Sequence, residues 1–174
     1  MKKSVFILCV LAVALCCSAC EQSVPDRPDG TNLEFWLAED VSGYDFSDYY
    51  EVPGWFGARE YYGRDYQPIF EADGVEPEYC VKYCITAWPD YADGGEYVTR
   101  IEITDPSVNV YGITVLSSYE AFTLAFEEAG YRVEPNGSGY TASKGRTRCS
   151  FFKTEGKSVL SLRAEVTNRL GIVY

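Results

Sequence analysis

The sequence predicts an α+β fold: an antiparallel sheet of hairpins, one amphipathic helix over about 118–129 packed on one face of it, and an irregular, aromatic-rich N-terminal part. Three observations carry this reading. From Tyr79 onward several segments alternate apolar and polar residues with period two, the pattern of half-buried strands. One segment, "SSYEAFTLAFEEAG", instead repeats apolar residues at intervals of three and four. The order along the chain is strands, one helix, then strands, which places a helix on one side of an antiparallel sheet.

The first residues are no part of that fold. Lys2-Lys3 lead into an apolar run from Val5 to about Cys17, and the small residues Ser18-Ala19 stand before Cys20, the layout of a secretory signal over residues 1–19. A membrane span takes roughly 20 apolar residues, and this run is too short, so the segment is read as cleaved. Its last four residues, "CSAC", resemble the lipobox of bacterial lipoproteins, in which a cysteine is diacylated and becomes the mature N-terminus. Cys16 follows bulky Leu15 and Cys17 follows another cysteine, which leaves Cys20 as the lipidation site, although Cys17 stands where a lipobox usually has leucine. The resemblance implies an acyl chain of the palmitate type on Cys20 and an extracytoplasmic protein, lipid-anchored to the bacterial cell membrane, or to an outer membrane if the host has one. Two acyl chains suffice for stable anchoring where one does not. A zinc knot at C-C-x-x-C is the competing reading, but the chain has no histidine and the spacing falls inside the targeting peptide.

Residues 20–31 include "EQSVPDRPDGT", polar and proline-bearing, and read as a flexible tether. A single α+β domain is expected over residues 32–174, a length that buries one core. "LEFWLAEDV" reads as a first strand. Gly43 to Tyr66 has no sustained period and reads as turns with at most one short helix, and "QPIFEADGVEPE" as a second irregular piece. "YCVKYCITAW" sets Val81, Tyr83, Ile85 and Ala87 on one face, and "EYVTRIEIT" sets Tyr97, Thr99, Ile101 and Ile103 on one face, with turn-rich "PDYADGG" between them: a β-hairpin. In the helix, Ser117 and Glu120 have capping-box spacing, Tyr119, Phe122, Phe126 and Ala129 form the apolar stripe, and Gly130 is the stop. Pro135-Asn136-Gly137 makes a turn. Thr147, Cys149 and Phe151 share a face, as do Ser158, Leu160, Leu162, Ala164 and Val166, and "TEGK" joins these two strands.

Residues 111–166, with a glycine-led "YGI-x-V" entry before a capped helix and an antiparallel meander, resemble a building block of the β-lactamase-inhibitor-protein fold and of the small outer-membrane assembly lipoproteins. Those families normally carry two helices where this segment shows one. The resemblance implies protein binding through the sheet face or loops, without catalysis, and carries over no site residue.

The formal net charge is −11, and loss of residues 1–19 would remove two lysines and no acid. Nucleic acid is not an expected partner, because affinity for it depends on cations displacing counterions. A basic protein, a cation or a neutral glycan is compatible with an acidic body. Without histidine there is no Ser-His-Asp triad and no histidine metal site. No GxSxG, P-loop or GxGxxG occurs. Ser150 and Lys153 have S-x-x-K spacing but lie in a strand without the companion motifs. Glu60 with Asp65, or Asp90 with Asp93, could serve as paired carboxylates for glycoside hydrolysis, yet a chain with 26 acids offers such pairs by accident. "PDYADGGE" around Asp90, Asp93 and Glu96 lacks the spacing of a calcium loop and reads as a hairpin turn. No catalytic residue, metal site or cofactor is therefore assigned. Cys80, Cys84 and Cys149 are read as buried thiols; a disulfide from either of the first two to Cys149 would need their strands to be adjacent.

What remains is aromatic density. Tyr44, Phe46, Tyr49, Tyr50, Trp55, Phe56, Tyr61, Tyr62 and Tyr66 crowd one segment with Asp45, Asp48, Glu51, Glu60 and Asp65 interleaved. Rings beside carboxylates suit sugar faces and hydroxyls, and tyrosine-rich loops suit protein interfaces; packing of the rings over the sheet is the plainer reading. Trp55 and Phe56, between Gly54 and Gly57, are expected at a loop tip, with Tyr61 and Tyr62 alternating between core and surface; these four are the candidate ligand-binding residues. The function expected is a non-catalytic binding or scaffold module for an envelope protein or glycan, the alternative being a carboxylate-dependent glycan enzyme.

Overall fold

The computed structural model describes residues 26–53, 58–63, 79–87, 95–154 and 157–164. Cys20 with the signal segment, Trp55 and Phe56, Asp65, Asp90, Asp93 and the "QPIFEADGVEPE" stretch lie outside the described residues.

Among the described residues, eight strands form one antiparallel sheet: β1 (Tyr50–Pro53), β2 (Ala58–Tyr62), β3 (Val81–Ala87), β4 (Glu96–Ile103), β5 (Arg132–Asn136), β6 (Gly139–Lys144), β7 (Thr147–Thr154) and β8 (Lys157–Ala164). Helix α1 (Tyr119–Glu128) connects the fourth and fifth. The strand order is β1-β2-β3-β4-β8-β7-β6-β5, so two hairpin series run toward each other and meet where β4 pairs with β8. The helix lies on β5 and β6, burying Phe122 and Phe126, with Phe122 5.4 Å from Phe151 of β7.

The helix ends follow from their residues. The N-cap is Ser118, whose hydroxyl accepts the Ala121 N–H at 3.1 Å; Ser117, the expected cap, instead accepts the Thr114 N–H and belongs to the preceding turn. Gly130, at φ +81°, lets its own N–H reach Glu127 and the Tyr131 N–H reach back to Phe126, which satisfies the last carbonyls. The "VYGI" entry is a two-residue reversal: Val110 and Ile113 bridge each other, and Tyr111 and Gly112 both have positive φ, 55° and 78°. A tyrosine is unusual in that conformation. Its ring is held 5.1 Å from Phe126 and 5.7 Å from Tyr131, so packing offsets the backbone cost.

Several expectations are corrected. "LEFWLAEDV" is not a regular strand: the segment lies across the inner face of the sheet, and Leu33, Phe35, Trp36 and Leu37 are all buried while Glu34 is exposed, so the alternation that starts at Leu33 is lost after Phe35. It touches the sheet by backbone bonds from Ala38 and Val41 to β4 and by a bridge between Asp40 and Tyr97. No short helix occurs between 43 and 66 among the described residues; β1 and β2 form a hairpin there. In β4 the inward residues are Val98, Ile101 and Ile103 rather than Tyr97 and Thr99, because the register shifts beside Cys84 and Thr99 is the extra residue of a bulge. Residues 132–144 form a further hairpin, with exposed Pro135 on the edge strand, where a missing N–H costs no ladder bond.

Cys80, Cys84 and Cys149 are free thiols. Strands β4 and β8 stand between β3 and β7, so Cys149 is paired with neither of the others. Burial pushes the Cys149 thiol well up, and the Cys84 thiol is raised for the same reason although Arg100 Nε lies 3.3 Å from its sulfur.

Candidate functional site

The aromatic segment folds around Phe35. Its ring meets Tyr44 at 4.5 Å, Tyr83 at 5.2 Å, Phe46 at 5.4 Å and Tyr49 at 6.1 Å between centroids. Glu34, next to it, receives the hydroxyls of both Tyr44 and Tyr49 on its carboxylate, which ties the loop to the 33–37 segment. Burial raises the Tyr49 phenol first, and the Glu34 carboxylate raises it further, so this hydroxyl stays a donor.

Between this loop, the β1–β2 hairpin and the start of β4 is an open recess of about 390 Å³. Its lining comprises Tyr44, Phe46, Tyr49 and Tyr61 as rings, with Asp45, Ser47, Glu51, Arg59 and Glu96 as polar groups. The register explains the convergence: Glu51 faces Tyr61 across the hairpin, and Arg59 reaches over β3 to pair with Glu96. Phe46 lies flat on Tyr61, centroids 4.2 Å apart and planes 21° apart, and the Arg59 guanidinium carbon is 5.7 Å from the Tyr61 ring. Burial raises the Tyr61 phenol, with Arg59 opposing. Tyr44, 38% exposed, is the ring most open to solvent in the lining.

Of the four candidate ligand-binding residues, Trp55 and Phe56 lie outside the described residues. Tyr61 and Tyr62 do not alternate between core and surface: both are buried, on opposite faces of β2, because that strand is covered on both sides. Tyr61 forms the recess floor, whereas Tyr62 is on the other face, 5.7 Å from Lys82 Nζ. Arg59 was not singled out by the sequence, and Glu96 only as part of a turn; nothing in their local sequence signals a partnership across an intervening strand.

The other groups weighed from the sequence are engaged elsewhere. Glu60 points away from the recess, 3.3 Å from Arg100 and 3.5 Å from Lys82. Hydrogen bonding to Glu102 is what lifts the Lys82 ammonium against its own burial. Ser150 and Lys153 are on opposite faces of β7: Ser150 shares a hydrogen bond with Thr141, and Lys153 sits over the Tyr119 and Phe151 rings, so the pair is no nucleophile and base. Among the described residues no three His, Cys, Asp or Glu side chains are grouped to hold a metal ion, and no helix is long and apolar enough to cross a membrane.

Chemically the recess offers hydroxyl and carboxylate acceptors and one guanidinium beside the partly exposed ring of Tyr44, while Tyr61 at its floor is covered by Phe46. Comparison of the chain with protein-family models, with curated proteins and with solved structures returned no match.

Proposed function

We propose that the chain is an extracytoplasmic lipoprotein, anchored through lipid on Cys20, whose domain is a non-catalytic binding module, and that its recess takes a neutral, hydroxyl-rich ring such as a sugar unit of an envelope glycan. The recess is the observation that carries this. A volume of about 390 Å³ lies toward the small end of the range for ligand sites, and the partly exposed Tyr44 ring beside carboxylates matches the apolar face and the hydroxyls of a sugar. The acidic balance of the chain favours a neutral ligand over an anionic one here, with Asp45, Glu51 and Glu96 all at the rim. Binding is preferred to hydrolysis because Glu96 is half of an ion pair with Arg59, the setting of an orienting group and not of a proton donor.

The test is Tyr44→Ala in the full chain, held in non-ionic detergent, against a panel of cell-wall glycans. Tyr44 is a partly exposed ring that also packs on Phe35 and bonds Glu34, so the melting midpoint should fall modestly, while glycan retention, measured well below that midpoint, falls about thirtyfold, the usual effect of losing a binding anchor. A stable variant that keeps every glycan the wild type binds would overturn the reading.

A further inference from the structure

The face of the sheet turned away from the helix carries a row of like charge that the acidic composition does not foreshadow. Register places Arg100 of β4 opposite Arg163 of β8, Arg163 opposite Arg148 of β7, Arg148 opposite Ser143 of β6, and Ser143 opposite Arg132 of β5. Neighbouring strands lie about 4.8 Å apart, so the first three arginines step across roughly 10 Å. Arg163 therefore has an arginine directly opposite on both sides, an arrangement that is destabilising in an antiparallel pair. Arg100 is tied to Glu60 and Glu102, Arg132 to Glu134, and Arg148 is also engaged, while Arg163 is exposed and has no acidic partner among the described residues.

The adjoining row on the same face is Ser161 of β8, Ser150 of β7 and Thr141 of β6, bracketed by Glu102 and Glu134 on the flanking strands. Thr141 and Ser150 hydroxyls are 3.0 Å apart. On β6, β7 and β8 these two rows hold guanidinium and hydroxyl donors and no carboxylate.

We infer that this face binds a linear polymer of phosphate groups lying across the strands. A guanidinium fork fits two oxygens of an oxyanion at once. A tetrahedral phosphate keeps further oxygens outside the plane of the fork, where the hydroxyl row, one strand pleat away, can donate to them; a carboxylate has both oxygens in that plane. The row is linear, which suits a polymer with repeated charge. A lipid surface fits less well, because beyond the patch the net-acidic body is repelled by an anionic bilayer, and the next residues outward on this face, Phe152 and Val159, are only half-exposed. The site stands on the opposite face from the helix and is independent of the recess.

The experiment measures binding of linear inorganic polyphosphate to the full chain in non-ionic detergent. Wild type should bind, weakening steeply with added salt as ions compete, and orthophosphate should bind far less. The Arg163→Gln variant should bind about tenfold more weakly, with a melting midpoint unchanged or higher because the like charges opposite it on β4 and β7 are relieved. Arg163→Lys, which keeps the charge and loses the fork, should fall between the two and guards against any loss of folding in the glutamine variant. The inference is overturned if wild type does not bind polyphosphate, if either variant binds it as wild type does, if polyglutamate of equal charge binds as tightly, or if binding occurs only to phosphatidylglycerol vesicles.

Discussion

The hydroxyl of Tyr83 in β3 accepts the backbone N–H of Glu34 at 3.1 Å, joining the sheet to the segment that lies across it. Tyr83 is buried, and burial raises its phenol from the ordinary 10.0 to about 12.

This gives a signed pH dependence. The folded state resists ionising Tyr83, so the stabilisation is fully present below pH 10 and is lost as pH rises from 10 through 12. The phenols of Tyr49, Tyr61 and Tyr131 are raised in the same direction and add to the slope. Urea titrations should show a flat midpoint up to about pH 8 and a fall above it, the buried thiols of Cys84 and Cys149 entering from about pH 9 and the phenols from about pH 10; Tyr83 alone accounts for roughly 2–3 kcal/mol. Tyr83→Phe should cost about 1 kcal/mol at neutral pH and make the alkaline fall shallower. An unchanged slope in that variant would mean the phenol is not shielded as described.

Phe126 is fully buried against Phe122, Tyr111 and Tyr131, whereas Leu124, on the outer side of the same helix, is 58% exposed. Phe126→Ala should cost about 3–5 kcal/mol and Leu124→Ala within about 0.5 kcal/mol. Denaturant midpoints of the two variants read this directly, and equal midpoints would contradict the helix orientation.

The proposed anchor has its own check. Labelled palmitate should enter wild type and not Cys20→Ser, whose product should be left uncut or be released from membranes. Continued labelling, cleavage after Ala19 and membrane fractionation of Cys20→Ser would remove the lipobox assignment.

Legibility of the fold tracked how far each residue's environment is set by its own strand or helix. The helix stripe and the faces of β7 and β8 could be read because one side is core and the other is not: Thr147, Cys149, Phe151, Leu160, Leu162 and Ala164 are all buried. The 33–37 segment could not, since the three consecutive buried residues Phe35, Trp36 and Leu37 break the alternation that Leu33, Glu34 and Phe35 begin. Strand β5 was missed for the opposite reason: most of its residues are exposed, and only pairing with β6 makes it a strand. The bulge at Thr99 inverted a pattern that looked regular. For the recess, the rings were visible as a crowd, but Glu34, Arg59 and Glu96 come from separate parts of the chain and are three charges among many, joined only by the topology.

The order of the strands also sets a schedule. Ala38 to Val41 cover one edge of β4 at residues 96–98 using chain that precedes it, but the rest of that edge, 100–103, waits for β8, the last strand among the described residues to emerge. A chain appearing N-terminus first thus passes through an interval in which its first four strands are complete and carry an open ladder of N–H and C=O groups. Closing it joins distant parts of the chain, which is intrinsically slow, and during the wait the same groups can accept a strand from another copy. The seam between β4 and β8 is therefore the clock of folding, and the point at which a crowded chain would first go astray.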